Sequence, residues 1–255
     1  MSRRQVGIVA LCLTAALALG VGGAYGTVLT AGRSLVQQAT SAFPIAPAGV
    51  GVAVSTSSDP AASSTTSSLT ALALARTLAI KGRAPKTGYT RSQFGTGWKD
   101  PDRNGCDARN DALRRYLNHV VMRGTSQCVV YSGTLVDPYS GAVIHFVRGT
   151  RGIDIDHMVA LSNAWQTGAQ KLTYTSRVAL ANDPLNLQPT STRLNEQKGD
   201  GDAATWLPPL KSYRCNYVAR QVAVKAKYHL WVTSAERAAI VRILSTCPTL
   251  RAPTR

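Results

Sequence analysis

The chain has 255 residues, 44% of them hydrophobic, and its 29 basic against 13 acidic side chains give a formal charge of +16. That length can bury one good core, but it exceeds what a single compact domain uses if every residue takes part. A chain this basic attracts polyanions, and nucleic acid is the commonest polyanion that also needs a metal to be cut; five cysteines without a CxxC pair argue against a zinc knuckle.

Arg3 and Arg4 precede a run from Val6 to Tyr25 that holds no charged residue, and Ala24 and Gly26 place small side chains where a signal peptidase inspects them. Residues 1–30 therefore read as an export signal, cleaved in preference; at roughly 1.5 Å per residue the run is also long enough to stay as a membrane anchor. Residues 31–68 are mainly Ala, Ser, Thr, Gly and Val, with Arg33 and Asp59 as the charges. Too few large apolar side chains are present to offset the entropy of ordering, so this stretch reads as a flexible tether. The body is residues 69–255. Export places Cys106, Cys128, Cys215 and Cys247 in an oxidising compartment, where two disulfides are expected. Of the three pairings that four cysteines allow, Cys106–Cys128 and Cys215–Cys247 each join neighbouring predicted elements. Each such loop stabilises the fold by roughly 3 kcal/mol in the chain-entropy model.

Leu72, Leu74, Leu78 and Ile80 suggest a short helix that ends before Pro85. Residues 106–121 carry Leu113, Leu117 and Val120 or Val121 on one side and Arg109, Arg114 and Arg115 elsewhere, the pattern of an amphipathic helix. Residues 128–136 and 142–147 are rich in β-branched side chains and flank Asp137-Pro138-Tyr139-Ser140-Gly141, a hairpin turn. Ile153 and Ile155 then alternate with Asp154 and Asp156, so a short strand delivers Asp156 and His157 at its end. Residues 161–168 and 176–182 look helical, an insertion before a second strand at 185–188 that Pro189 stops. Thr190 or Ser191 caps a helix carrying Asn195 and Lys198 on neighbouring turns, broken by Gly199 and Gly201. Residues 212–230 and 233–246 give two more helices, the second capped by Thr233 or Ser234. The fold class is α+β: a strand, strand, helix unit of the ββα-metal type, with surrounding helices and a β-hairpin.

Six of the thirteen acids, Asp154, Asp156, Asp183, Glu196, Asp200 and Asp202, fall between residues 154 and 202. A basic protein that keeps its carboxylates together uses some of them on a cation, while Asp183 and Asp202 are candidates for helix caps. Asp156 beside His157 offers a hard oxygen ligand and a proton acceptor at one place, and Asn195 can close a metal site. Arg148 and Arg151 before the motif, and Lys211, Arg214, Arg220, Lys225 and Lys227 after it, are candidates to line a groove that tracks a phosphate backbone.

The run Asp156-His157-Met158-Val159-Ala160, then Asn186-Leu187-Gln188, then Asn195 with Lys198-Gly199, resembles the HNH nucleases in order and spacing. More closely, residues 80–247 resemble the secreted actinobacterial HNH endonuclease proteins related to the C-terminal domain of GmrSD-type restriction enzymes. Lys81-Gly82-Arg83-Ala84-Pro85-Lys86-Thr87-Gly88-Tyr89, Gly105-Cys106-Asp107-Ala108-Arg109-Asn110-Asp111 and Ala203-Ala204-Thr205-Trp206-Leu207-Pro208-Pro209 carry that likeness.

The resemblance implies an exported, metal-dependent endonuclease that hydrolyses phosphodiester bonds in DNA, with RNA as a further substrate; no base-reading motif is visible, so cutting without sequence preference is expected. His157 is then the general base, Asp156 and Asn195 hold the metal, and Asn186 braces the loop or orients His157. Lys198 is a candidate catalytic residue, as a phosphate contact or transition-state cation, and Asp154 and Asp200 stand behind the metal. Hard oxygen ligands favour Mg²⁺, with Mn²⁺ second; His119, His145 and His229 lie outside the motif, against a histidine-held Zn²⁺ or Ni²⁺. No protein partner is implied, and membrane contact only through an uncleaved N-terminal segment. Two other readings stay open: an inactive protein that binds nucleic acid or the cell envelope, and a phosphodiesterase acting on a substrate other than nucleic acid.

Overall fold

In the computed structural model residues 69–254 are described; the export signal of residues 1–30 and the tether of residues 31–68 lie outside the described residues. The first helix, α1 (Ala71–Thr77), is opened by the Thr70 hydroxyl, which accepts from the Ala73 amide at 3.2 Å. It buries Ala71 and Ala75 against the two helices near the other end of the chain, α6 (Arg214–Lys227) and α7 (Ser234–Leu244). The Ala71 amide donates to the Leu250 carbonyl at 2.8 Å and the Ala252 amide to that of Leu69 at 3.1 Å, so both ends of the body are fastened together.

α2 (Ala108–Tyr116) begins at Asp107, whose carboxylate accepts from the Asn110 amide at 2.8 Å. The helix predicted to run to residue 121 stops at Tyr116, and β1 (Leu117–Met122) follows. An antiparallel edge on β2 (Val130–Val136) is available to pair with it, and Val120 and Val121 suit a pleated strand better than a helix turn. Leu117, buried here in the strand, also falls on the apolar side of the predicted helix, so periodicity alone could not separate the two. β2 pairs in turn with β3 (Val143–Val147), giving a three-stranded antiparallel sheet with Gly141 at positive φ in the predicted turn.

β4 (Ile153–His157) and β5 (Leu187–Ser191) form a separate antiparallel pair, with Asp156 opposite Gln188 and His157 opposite Leu187. Between them lie α3 (Leu161–Gln166) and α4 (Tyr174–Asn182), and α5 (Thr192–Lys198) follows directly. The second strand does not end at Pro189, which sits in register with Ile155. In a two-stranded sheet both strands are edges, so one missing amide donor is tolerated. Neither predicted hydroxyl caps α5: Thr190 donates to Asp137 at 2.6 Å, and Ser191 makes no side-chain cap. Thr233 does cap α7, in a reciprocal capping box with Glu236. Asp183 and Asp202 brace turns instead of opening helices, accepting from the Leu185 and Ala204 amides at 3.0 Å each.

Two apolar clusters meet at β4. Leu113, Leu135, Phe146, Ile153, Ile155 and Leu187 pack between α2 and the strands. The larger cluster, which includes Trp165, Leu180, Tyr217, Val222 and Ile240, gathers helices α1, α3, α4, α6 and α7. The strand period sends Ile153 and Ile155 into the first and leaves Asp156 on the other side, so the site lies at the seam. The two expected disulfides are present: Cys106–Cys128 joins the approach to α2 to that of β2, and Cys215–Cys247 joins α6 to the segment after α7, at Cα separations of 5.1 and 6.5 Å.

Candidate active site

Asp156 is buried, and both of its carboxylate oxygens are engaged. Oδ1 accepts from the Lys198 ammonium at 2.9 Å and Oδ2 from the Tyr139 hydroxyl at 2.6 Å. Lys198 is the last residue of α5, its side chain is wholly buried, and the same ammonium also donates to the His157 carbonyl at 2.9 Å. It therefore fixes the end of β4 to the end of α5 and does not reach out as a surface cation. Tyr139 comes from the turn between β2 and β3 and stands edge-on to Tyr217 at 5.5 Å. Burial, followed by the charge of Asp156, pushes its phenol well above the usual range, so it remains a donor.

His157 is buried with its ring stacked on Trp98, centroids 5.8 Å apart and planes 10° from parallel. Its Nε2 lies 2.9 Å from the Ala181 carbonyl. A carbonyl only accepts, so Nε2 carries the proton and Nδ1 the lone pair. Burial pushes the imidazole down to about 3, helped by the charges of Arg91 and Lys198 and opposed by the Ala181 bond. The ring is therefore neutral at physiological pH.

Asn186 holds the frame around it. Its Oδ1 accepts from the Val159 amide at 2.8 Å and its Nδ2 donates to the Leu180 carbonyl at 3.2 Å, with no exposure to solvent. The Leu180 carbonyl adjoins that of Ala181, so one amide ties the turn after His157 to the helix end that holds the ring. Arg220 adds to this brace by donating to the carbonyls of Leu185 and Leu187 at 3.0 and 2.9 Å.

Asn195 donates from Nδ2 to Asp154 Oδ2 at 3.1 Å, and the other Asp154 oxygen accepts from Thr192 at 3.1 Å. A carboxylate that only accepts sets which way the amide points, leaving Asn195 Oδ1 as an acceptor. Asp200 takes hydrogen bonds from Ser162 at 2.9 Å and Gln166 at 3.2 Å and lies 3.6 Å from Lys86. Burial would raise its carboxyl, but the Ser162 bond and the charges of Lys86 and Arg83 outweigh it and hold it below the usual value.

Asp156, His157, Asn195 and Asp200 all line one cavity of about 410 Å³, together with Lys86 and Arg91. Asp154 and Asn186 support it from behind, and Lys198 sits beneath Asp156. Among the described residues no cluster of three or more His, Cys, Asp or Glu side chains is arranged to hold a metal ion. What the cavity offers is carboxylate oxygen, each Asp156 oxygen with a further lone pair, and the Asn195 amide oxygen. That donor set fits a hard divalent ion that keeps several of its waters, not a closed all-protein cage.

Of the groove expected from Arg148, Arg151, Lys211, Arg214, Arg220, Lys225 and Lys227, Lys211 stays exposed, and the others are held by partners within the protein. Arg148 donates to the Val130 carbonyl, Arg151 pairs with Glu196, and Arg214 donates to the Pro208 carbonyl. Lys225 is buried against Glu236, and Lys227 pairs with Asp183. Arg148, Arg214, Arg220 and Lys225 are drawn inward because carbonyls and carboxylates away from solvent need donors, whereas Arg151 and Lys227 pair at the surface. Sequence reasoning missed Tyr139, Trp98 and Arg91. Tyr139 lay inside a predicted turn, and no local pattern marks a turn tyrosine as the partner of a carboxylate seventeen positions on.

The end of β4 thus brings a carboxylate and an imidazole, and α5 an oriented amide, to one cavity of an α+β protein. Residues 107–243 match the model of the GmrSD restriction endonucleases, C-terminal domain, and the chain belongs to that family. It is also 38% identical over 183 residues to a protein of Arthroderma benhamiae described as an "uncharacterized secreted protein", a match covering 71% of this chain and 86% of the relative. No solved structure matches the chain. Among the described residues no helix is long and apolar enough to cross a membrane.

Proposed function

We propose that the protein is an exported, metal-dependent endonuclease of the HNH type, with β4, β5 and α5 as its ββα-metal finger, that hydrolyses phosphodiester bonds in DNA and also in RNA without sequence preference. The observation that carries this reading is His157, its Nε2 bound to the Ala181 carbonyl so that the proton acceptor is Nδ1, lining the same cavity as Asp156 and Asn195. The family match supports nucleic acid as the substrate, and the two disulfides together with the secreted relative support export.

His157 Nδ1 takes a proton from water as its oxygen attacks phosphorus in line. The bond from phosphorus to the 3′ oxygen breaks, and that oxygen takes a proton from solvent, leaving a 3′ hydroxyl and a 5′ phosphate. Asn186 and the Ala181 carbonyl keep the ring in the required tautomer, and Trp98 holds its plane. Lys198 and Tyr139 fix the Asp156 carboxylate, and Asp154 fixes the Asn195 amide. A divalent ion held by Asp156 and Asn195, Mg²⁺ first and Mn²⁺ second, would neutralise charge on the phosphate and the departing oxygen.

The test is cleavage of supercoiled DNA by the oxidised protein in EDTA, Mg²⁺, Mn²⁺ and Zn²⁺. Activity is expected with Mg²⁺ or Mn²⁺, none in EDTA, and a loss of at least about 10²-fold in His157→Ala. Equal activity of wild type and His157→Ala would remove the base assignment. Salt-sensitive DNA binding without cleavage would favour an inactive binder, and preference for a small diester over duplex DNA would favour a different phosphodiesterase.

A further inference from the structure

Most cations near the cavity are committed to internal partners, and Arg91 is not. Arg83 pairs with Asp202 at 2.8 Å, Lys86 lies 3.6 Å from Asp200, and Arg151 pairs with Glu196. Arg177 grips Gln93 through its carbonyl at 2.8 Å and its side chain at 3.0 Å. Among the described residues the exposed guanidinium of Arg91 has neither a hydrogen bond nor an ion pair. It lines the large cavity and also a smaller one of about 100 Å³ that reaches Trp98 and Asn182. His157 lines both, so Arg91 and His157 share the walls of the two cavities.

The backbone that presents Arg91 is held firmly. It opens a short 3₁₀ turn, Arg91–Phe94, whose Phe94 is buried between Tyr89 and Trp165 at centroid distances of 6.2 and 6.3 Å. The turn closes on Gly95, at a φ of 92°, where an added Cβ would lie 3.1 Å from Val178. Together with the Arg177 bonds to Gln93, these contacts seat the turn on α4, the helix whose end also holds His157 through Ala181. An uncommitted charge on a fixed base is the arrangement that binds an anion without first breaking an internal pair. A guanidinium offers a planar fork that matches two oxygens of one phosphate.

We propose that Arg91 is the anion subsite of the cavity, binding two oxygens of the substrate phosphodiester beside His157 and so orienting the phosphorus for attack. This rests on the phosphodiesterase reading for its substrate class, but not for the existence of an anion site.

The test uses full-length oxidised wild type, Arg91→Ala, Arg91→Lys and Arg242→Ala, the last an exposed arginine on α7 as a control. Cleavage gives kcat and KM, and anisotropy of a short labelled duplex in EDTA gives affinity across a salt series. In Arg91→Ala, kcat/KM is expected to fall about 10²-fold and the salt slope of binding by about one, while Arg91→Lys recovers part and Arg242→Ala neither falls. The unfolding midpoint of Arg91→Ala should match wild type, because no internal contact is lost. If wild type cleaves and Arg91→Ala keeps its kcat/KM and salt slope, the proposal is overturned. If wild type cleaves nothing but binding still depends on Arg91, the anion subsite stands and the nuclease reading falls. If wild type cleaves nothing and binding ignores Arg91, both fall.

Discussion

Replacing Asn186 with Ala probes whether one buried amide supports both the fold and the imidazole. The change deletes the acceptor of the Val159 amide at 2.8 Å and the donor to the Leu180 carbonyl at 3.2 Å, at a position with no solvent exposure. Each buried group left without a partner costs about 1–3 kcal/mol, the amide toward the upper end because it has no second partner among the described residues. The sum is roughly 3 kcal/mol, about a hundredfold in the folding equilibrium. Urea denaturation should show it as a lower midpoint with an unchanged slope. Cleavage by the folded protein at low temperature should fall further than the unfolded fraction explains, since Leu180 adjoins the carbonyl that fixes His157. A loss below about 1 kcal/mol would mean that water replaces the amide, and the argument from burial would be refuted. A large loss of stability with unimpaired cleavage would mean that Asn186 braces the chain without orienting the ring.

Lys198→Met should destabilise by about 3–5 kcal/mol by leaving Asp156 buried without its ammonium, and adding Asp156→Asn should restore part of that; a denaturation double-mutant cycle measures the coupling. Burial alone would raise the Asp202 carboxyl, but the bond and charge of Arg83 and the Ala204 amide hold it below its ordinary value of 3.8. Its contribution to stability is therefore present above that value and is lost as pH falls through the lower folded value. Asp202→Asn should flatten acid unfolding in that window, and an unchanged acid limb would remove the assignment.

The order of elements around the site was legible because each short segment carries its own signal. Ile153 and Ile155 alternate with acids, Gly199 ends the helix that carries Asn195 and Lys198, and Thr233 or Ser234 marks the start of the last helix. The disulfide pairs followed because each joins elements adjacent in the chain. Local patterns failed where a segment had two acceptable conformations. In residues 117–122 Leu117 suits the apolar side of a helix as well as of a strand, and only the open edge of β2 chose the strand. Pro189 reads as a stop until the strand is seen to be an edge on both sides.

Charge was the least legible property of all. The sequence by itself determined that the chain is basic, that its acids gather between residues 154 and 202, and that Asp156, His157, Asn186 and Asn195 come in that order. Which cations face solvent and which are drawn inward depends on where carbonyls and carboxylates end up without donors, and only the packed structure decides that. It buried Lys198 against Asp156 and Lys225 against Glu236, tied Arg220 to the chain before β5, and left Arg91 free beside His157. A side chain several bonds long finds its partner through space, and the sequence records only its own neighbours.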